Sequence, residues 1–414
     1  MPNNAISPVD FFSPAKQEAA LALIACPGAE TLTQQIDAHL VNWANEAGVP
    51  TESFIIRSDC PRFQSGDAKG LVKDSVRGLD VFLVVDPGNY ALTYNLFGTV
   101  NHMSPDDHYA NLKRLIQAVA GRAHRVSVIM PSLYGGRQHR RISRESLDCA
   151  VALQELQQMG VANIITFDAH DPRVVNAVPL MSFDNVMPTY QVLKTLLKNM
   201  PELDFHKDHF MVVSPDEGAM SRNMYFSSVL GCNLGMFYKR RDYSRVVNGR
   251  NPIVAHEYLG ESVEGKTVFI ADDIIASGES MLEVASELKS RGAAHIICNA
   301  TFPLFTSGLE KFDAAVEAGT LTAVLGTNLT YRKPELLERK WTSPQLRSTP
   351  ATGWMVAPPV AAAARTTTTT AWLSSARATP TLPTRRTSPC SCSARASATS
   401  ATSSSSSAQN RESN

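Results

Sequence analysis

Two adjacent acids, Asp272 and Asp273, close an apolar run, and a small-residue turn, Ala276-Ser277-Gly278, follows them before the amphipathic stretch MLEVASELKSRGA. Val268, Phe269 and Ile270 within that run read as a buried parallel strand. A strand that delivers carboxylates, then a short loop, to a helix N-terminus can hold a sugar phosphate from both ends. The acids accept hydrogen bonds from ribose hydroxyls. Loop amides from Ala276 to Ser280, the hydroxyls of Ser277 and Ser280 and the helix dipole take the phosphate. The plainer alternative is a strand end whose acids cap the next helix. Glu279 sits inside the loop, where a carboxylate disfavours phosphate unless it points away or meets a cation or a metal.

Upstream, the strand-like Phe237-Tyr238 runs into Lys239-Arg240-Arg241, and the polar DYSRVVNGRNPIVAHEY that follows has the composition of a mobile lid. Cations on a closing lid suit a reaction that builds negative charge on a transferring phosphoryl group. Taken alone, such a triplet is more often a solvated surface patch. Arg137, in Tyr134-Gly135-Gly136-Arg137-Gln138-His139-Arg140, follows a strand and offers a fork shaped for phosphate; an exposed basic turn is the alternative. His170 and Asp216 each lie just past a strand, where a lone His is more often a hydrogen-bonded structural residue. Gly260 to Thr267 matches the phosphate-loop pattern G-x-x-x-x-G-K-[ST], but Thr267 opens a strand rather than a helix, so the match carries no mechanism.

These residues need rigid elements to position them. Strand candidates are Ala20–Cys26, Val81–Asp86, Val126–Pro131, Ile164–Asp168, His209–Asp216, Leu234–Lys239, Val268–Asp273, His295–Thr301 and Leu321–Gly326. Between them Leu32, Ile36, Leu40 and Trp43, and Leu112, Leu115, Ile116 and Val119, recur at helical spacing. The alternation predicts parallel α/β sheets twice over, with a seam near Pro179–Pro188. The expected division is an extension at 1–19, an α/β domain at 20–187, a second at 188–341, and a low-complexity tail at 342–414. The tail has no Lys, Ile, Phe or Tyr and a single acid, Glu412, and it carries TTTTT, AAAA and SSSSS runs. It cannot bury a core and is expected to be disordered. Its abrupt start after PELLERKW suggests an out-of-frame reading of the gene, which resequencing around Trp341 tests.

The 414 residues predict about two to three domains. A 43% hydrophobic fraction suffices for their cores, and zero net charge gives no bulk attraction to nucleic acid. Seven scattered cysteines without zinc-ribbon spacing fit reduced thiols in a cytoplasmic protein. No run of eighteen apolar residues and no charged-then-apolar leader is present, so neither a membrane partner nor a signal peptide is expected.

The order of strand, KRR, long loop, strand, acid pair and small turn resembles that of the ribose-phosphate diphosphokinases, in the phosphoribosyltransferase superfamily. Arg62-Phe63-Gln64-Ser65-Gly66-Asp67 is similar to the family's Arg-Phe-Ser-Asp-Gly-Glu, and the Tyr134–Arg140 segment to its Tyr-Ala-Arg-Gln-Asp-Arg. The resemblance, over roughly 20–341, implies two related phosphoribosyltransferase-type domains with mostly parallel sheets. It implies transfer of the diphosphoryl group of MgATP to the C1 hydroxyl of ribose 5-phosphate in a homo-oligomer built from dimers that share ATP sites. On the same ground Phe63 and Asp67 contact the adenine, and Arg137 and Gln138 meet ATP. His170 and Asp216 organise Mg2+, while Lys239 and Arg241 are catalytic. Asp272, Asp273, Ala276, Ser277, Gly278 and Ser280 bind ribose 5-phosphate. Ser65, His139 and Glu279 depart from the family pattern, which leaves open a non-catalytic regulatory paralogue; a nucleobase phosphoribosyltransferase would not require Arg137-Gln138 or the KRR lid. The family closes its second domain with a further strand and helix, and nothing after Trp341 has the composition to supply them.

Overall fold

The computed structural model describes residue 12, residues 19–241 and residues 253–342, with backbone alone at 239–241 and 253–256. All described residues lie in one compact unit. Five strands, β1 (Leu21–Ala25), β2 (Asp80–Val84), β3 (Arg125–Ile129), β4 (Asn163–Phe167) and β5 (Ser182–Val186), form a sheet in that order with every pairing parallel. Six more build the second sheet: β6 (Phe210–Ser214), β7 (Asn233–Arg241), β8 (Ile253–Leu259), β9 (Thr267–Ile275), β10 (His295–Pro303) and β11 (Ala323–Gly326). Their order is β8-β7-β6-β9-β10-β11, parallel except for the edge pair β7–β8. Helices α1 (Glu30–Glu46), α2 (Pro105–Val119), α3 (Asp148–Gln158), α4 (Thr189–Asn199), α5 (Met220–Leu230), α6 (Glu279–Ser290), α7 (Glu310–Glu317) and α8 (Pro334–Glu338) connect them. Two doubly covered parallel sheets explain why β2, β4 and β6 are buried at every position, as near-continuous apolar runs require.

All nine strand candidates are present. The seam near Pro179–Pro188 itself holds β5, which completes the first sheet at its edge; its run Ser182-Phe183-Asp184-Asn185-Val186 is half polar, so it carries no strong strand pattern. The expected lid is also shorter than its composition indicated. Ile253–Leu259 is a strand antiparallel to β7, paired from Met236↔Leu259 to Arg241↔Ile253 with one register shift between Arg240 and Arg241, and Tyr258 folds over Gly235, where a Cβ would lie 2.6 Å from its hydroxyl. The rest of that segment, 242–252, lies outside the described residues, as do the extension at 1–11 and the tail from 343.

At the far end, Trp341 is core. Its ring stacks on Phe312 at 5.8 Å and its Nε1–H donates to Asp313 at 2.7 Å. Thr342, the last described residue, forms a parallel bridge with Val324 of β11. Among the described residues Cys26, Cys60, Cys149, Cys232 and Cys298 are free thiols. No described helix is long and apolar enough to cross a membrane.

Candidate active site at the junction of the two sheets

Strand β9 brings its acids to the site through a buried clamp. Asn223 of α5 donates to the carbonyl of Ala271 at 2.8 Å and accepts from its N–H at 3.1 Å, which fixes the backbone immediately before Asp272. The N–H of Asp273 then donates to Asp272 Oδ1 at 2.8 Å. Asp273 points toward the first sheet and accepts from His170 Nδ1 at 2.7 Å. Burial and the neighbouring Asp273 carboxylate push Asp272 well up. Against the same burial, the His170 hydrogen bond and the Arg222 charge hold Asp273 low. His170 is raised, chiefly by its hydrogen bond to Asp273.

A second junction lies beside the first. Asp168, just past β4, sits in the left-handed region at φ 42, a conformation that costs a non-glycine residue energy and persists where the surroundings enforce it. Here the enforcement is Arg222 of α5, which donates through Nε to both Asp168 oxygens (3.0 and 2.9 Å) and through Nη2 to Oδ1 (2.9 Å). Thr301 of β10 adds a hydrogen bond at 2.5 Å. Arg222 also reaches Asp272 Oδ1 at 3.5 Å, so one guanidinium serves both acid groups. Neither Arg222 nor Thr301 was singled out in the sequence. The available signal was that Arg222 is the lone charge in the helix MSRNMYFSSVL. A third buried acid, Asp86, ties the sheets together from the other side by accepting from Thr330 Oγ1 and the Tyr331 N–H, each at 2.7 Å.

The turn leads into α6 without a side-chain cap at Gly278, and the first helical amide, Glu279 N–H, meets Ser277 Oγ only at a long 3.5 Å. Gly278 is required there. Its φ is +84, and a Cβ would lie 2.3 Å from the Phe312 ring. Glu279 turns outward and meets Lys311 of α7 at 2.5 Å, which answers the objection to an acid in this loop. Lys311, like Arg222, is a residue that sequence reasoning missed.

The side expected to take the nucleotide is partly assembled. A cleft of about 340 Å³ is lined by Arg137, Gln138, His170 and Asp273, which puts four of the expected residues around one space. The Tyr134 ring anchors the loop that carries Arg137, stacked on Tyr109 at 4.3 Å and donating to Asp106 at 2.7 Å. Gln138 donates to the Ser146 carbonyl at 2.8 Å. Phe63 and Asp67 do not line this cleft. They share a tight turn closed by the Phe63 N–H on the Asp67 carbonyl at 2.7 Å, and Phe63 is 54% exposed. Lys239 and Arg241 belong to the part of β7 that outruns β6 and pairs only with β8; their side chains lie outside the described residues.

Asp216 is turned into place by Ala219, whose N–H donates to Oδ1 at 3.1 Å, and its charge contributes to the rise of Asp272. Among the described residues no group of three or more His, Cys, Asp and Glu forms a ready metal cage. What the protein offers is separate donors: one imidazole whose Nδ1 is already engaged by Asp273, and nearby carboxylates. That partial set fits an ion such as Mg2+, which keeps waters and shares its shell with substrate phosphates.

Comparison with known proteins agrees with this arrangement. Residues 21–160 match the N-terminal domain of ribose phosphate pyrophosphokinase, and residues 182–310 match the phosphoribosyl transferase domain. A ribose-phosphate pyrophosphokinase from Burkholderia pseudomallei is 30% identical over 60% of this chain and 70% of its own. One from Wolinella succinogenes is 27% identical over 70% and 84%. The crystal structure of phosphoribosylpyrophosphate synthetase from Mycobacterium smegmatis superposes with a TM-score of 0.64 at 20% identity, covering 83% of this chain and 98% of that one. With two phosphoribosyltransferase-type domains meeting at paired acids, an imidazole and an arginine-lined cleft, the chain belongs to the ribose-phosphate pyrophosphokinase family and is an enzyme of that family.

Proposed function

We propose that this chain transfers the diphosphoryl group of MgATP to the C1 hydroxyl of ribose 5-phosphate, giving phosphoribosyl diphosphate and AMP. The observation that carries this assignment is the short path from the Asp272–Asp273 pair to the uncapped start of α6, with His170 bonded to Asp273 and the Arg137 cleft alongside. In this assignment Asp272 and Asp273 receive the ribose hydroxyls, and Ala276, Ser277, Gly278 and Ser280 hold the 5-phosphate. Arg137 and Gln138 contact ATP. Phe63 and Asp67, standing off the cleft of their own chain, serve the base in a neighbouring copy of a homo-oligomer built from dimers. Lys239 and Arg241 stabilise charge around the attacked β-phosphorus. His170 and Asp216 hold Mg2+, which when bound neutralises the phosphate oxygens of ATP. The rest is positioning, and no side chain is needed to form a covalent intermediate. A domain division near residue 187 and a cytoplasmic location belong to the same proposal.

Purified protein supplied with MgATP and ribose 5-phosphate is expected to release AMP. Lys239→Ala should lower kcat by about 10² or more while changing the KM for ribose 5-phosphate little. Absence of AMP across magnesium and phosphate concentrations would instead point to a regulatory, non-catalytic chain.

A further inference from the structure

Between Asp86 and α2 the chain puts out a two-stranded arm, Thr93–Leu96 paired antiparallel with Thr99–His102. Phe97 and Gly98 form its tip, both at positive φ (48° and 79°), the geometry of a two-residue turn whose twist matches the strands it joins. At the base, His102 Nδ1 donates to the Tyr90 carbonyl at 2.7 Å, and the Tyr90 ring meets Tyr331 edge-on at 5.4 Å. A tight tip and a pinned base fix the register. In that register Tyr94 and Leu96, two positions apart, share one face and are half-buried, while Thr93 and Asn95 opposite them are exposed.

The half-buried face covers the turn from Arg62 to Asp67. The Arg62 guanidinium lies over the Tyr94 ring at 3.9 Å, and Leu96 comes so near Gly66 that a Cβ there would be 2.8 Å from its Cδ1. Arg62 is held on two further sides, donating to the Gly66 carbonyl at 3.2 Å and to Asp107 Oδ1 at 3.1 Å. Asp107 is fixed in turn, because its Oδ2 accepts from Ser104 in the capping box of α2. Arg62 therefore ties the turn to a helix, and the aromatic face of Tyr94 is the plate on which the guanidinium rests. Within the turn Ser65 Oγ donates to Asp67 Oδ2 at 2.9 Å, so the aim of that carboxylate follows the shape of the turn. Phe63, more than half exposed, takes its direction from the same backbone.

We propose that the hairpin is a positioning arm for purine recognition: Tyr94, acting through Arg62, holds the Phe63–Asp67 turn in the orientation that receives the adenine of ATP. That the base is adenine rests on the function proposed above. Tyr94 itself touches no substrate.

MgATP and magnesium tripolyphosphate, which carries phosphates without a base, are titrated calorimetrically into the full-length protein. Tyr94→Ala should weaken MgATP about ten-fold while leaving tripolyphosphate within about two-fold, because only the base meets this turn. Tyr94→Phe keeps the aromatic face and should bind MgATP within about two-fold of the unaltered protein. Tyr94→Leu keeps bulk without that face, should stay weak, and carries the test should the alanine variant fail to fold. Hydrogen exchange gives a readout without nucleotide. The Phe63 and Gly66 amides, which donate to the Asp67 and Phe63 carbonyls at 2.7 and 2.9 Å, should exchange faster in Tyr94→Ala and Tyr94→Leu but not in Tyr94→Phe. Equal weakening of both ligands, unchanged MgATP affinity in Tyr94→Ala or Tyr94→Leu, or no recovery in Tyr94→Phe overturns the arm. Selective loss of MgATP in a protein that releases no AMP would uphold the arm and defeat the proposed reaction; AMP release with MgATP affinity unchanged by Tyr94→Ala would do the reverse.

Discussion

Asp168 and the Asp272–Asp273 pair occupy matching places, each near the carboxyl end of an interior strand, and Arg222 touches both. Their surroundings differ. Asp168 is 3% exposed, and Arg222 and Thr301 between them satisfy both of its oxygens. Asp272 keeps 28% of its side chain exposed, and its one cation is the guanidinium at 3.5 Å. The first acid is a rivet between the sheets, while the second keeps acceptor capacity that the protein itself does not fill. The same residue type after the same kind of strand therefore takes opposite roles, and the deciding factor is whether the protein itself supplies every donor.

The comparison breaks most severely at Arg222. Removing one partner of a buried ion pair strands the other without compensation, at a cost of about 3–5 kcal/mol. Arg222→Ala should show that loss in urea unfolding, since Asp168 is then buried in a left-handed conformation with only Thr301 as a donor from the second sheet. A loss under about 1 kcal/mol would mean that Asp168 is no rivet.

Asp272 gives a smaller effect with a defined sign. Burial, then the Asp273 charge, raises it, so the folded protein keeps a proton that the unfolded chain has released above the ordinary carboxylate value of about 4. Unfolding in that range releases the proton. Stability contributed by this group therefore falls as pH rises from about 4 to the raised folded value, and is flat above it. Asp272→Asn mimics the protonated acid and should flatten the decline in Tm between about pH 5 and about pH 8. His170, also raised in the folded state, contributes stability at low pH that is lost as pH rises through its folded value; Asp272 supplies part of that rise, so Asp272→Asn flattens the His170 slope as well and the two changes act in the same direction. Parallel Tm profiles for the two proteins would remove Asp272 as the proton's holder.

What could be read from the sequence were the features contiguous along it. Residues 267–280 lay out strand, acids, turn and helix start in order, and the interior strands announce themselves as apolar runs. What could not be read depends on distance along the chain. Arg222 is 54 positions from Asp168, and Lys311 is 32 from Glu279. His139 looked like one member of a basic turn, and only the fold sets it against Asp171 and His170. The half-polar β5, between two prolines, gave no strand pattern because it is an edge strand with no position fully buried, so it needs no apolar run.

The smallest expected effect tests the phosphate end of the open acid pair. Lys311 and Glu279 are both more than half exposed, so the bond between them adds little to folding. Its consequence is electrostatic. With Lys311 present, the acid beside the loop is drawn away and neutralised; with Lys311→Ala, an unpaired carboxylate remains near the start of α6. Tm should hardly change, while the KM for ribose 5-phosphate should rise about two- to five-fold at low salt and return toward normal as salt screens the repulsion. Lys311→Ala combined with Glu279→Gly should restore the KM, because the offending charge has left with its partner. If the double variant stays as weak as the single one, Lys311 itself contacts the phosphate, and the loop is a two-helix site rather than the N-terminus of α6 alone.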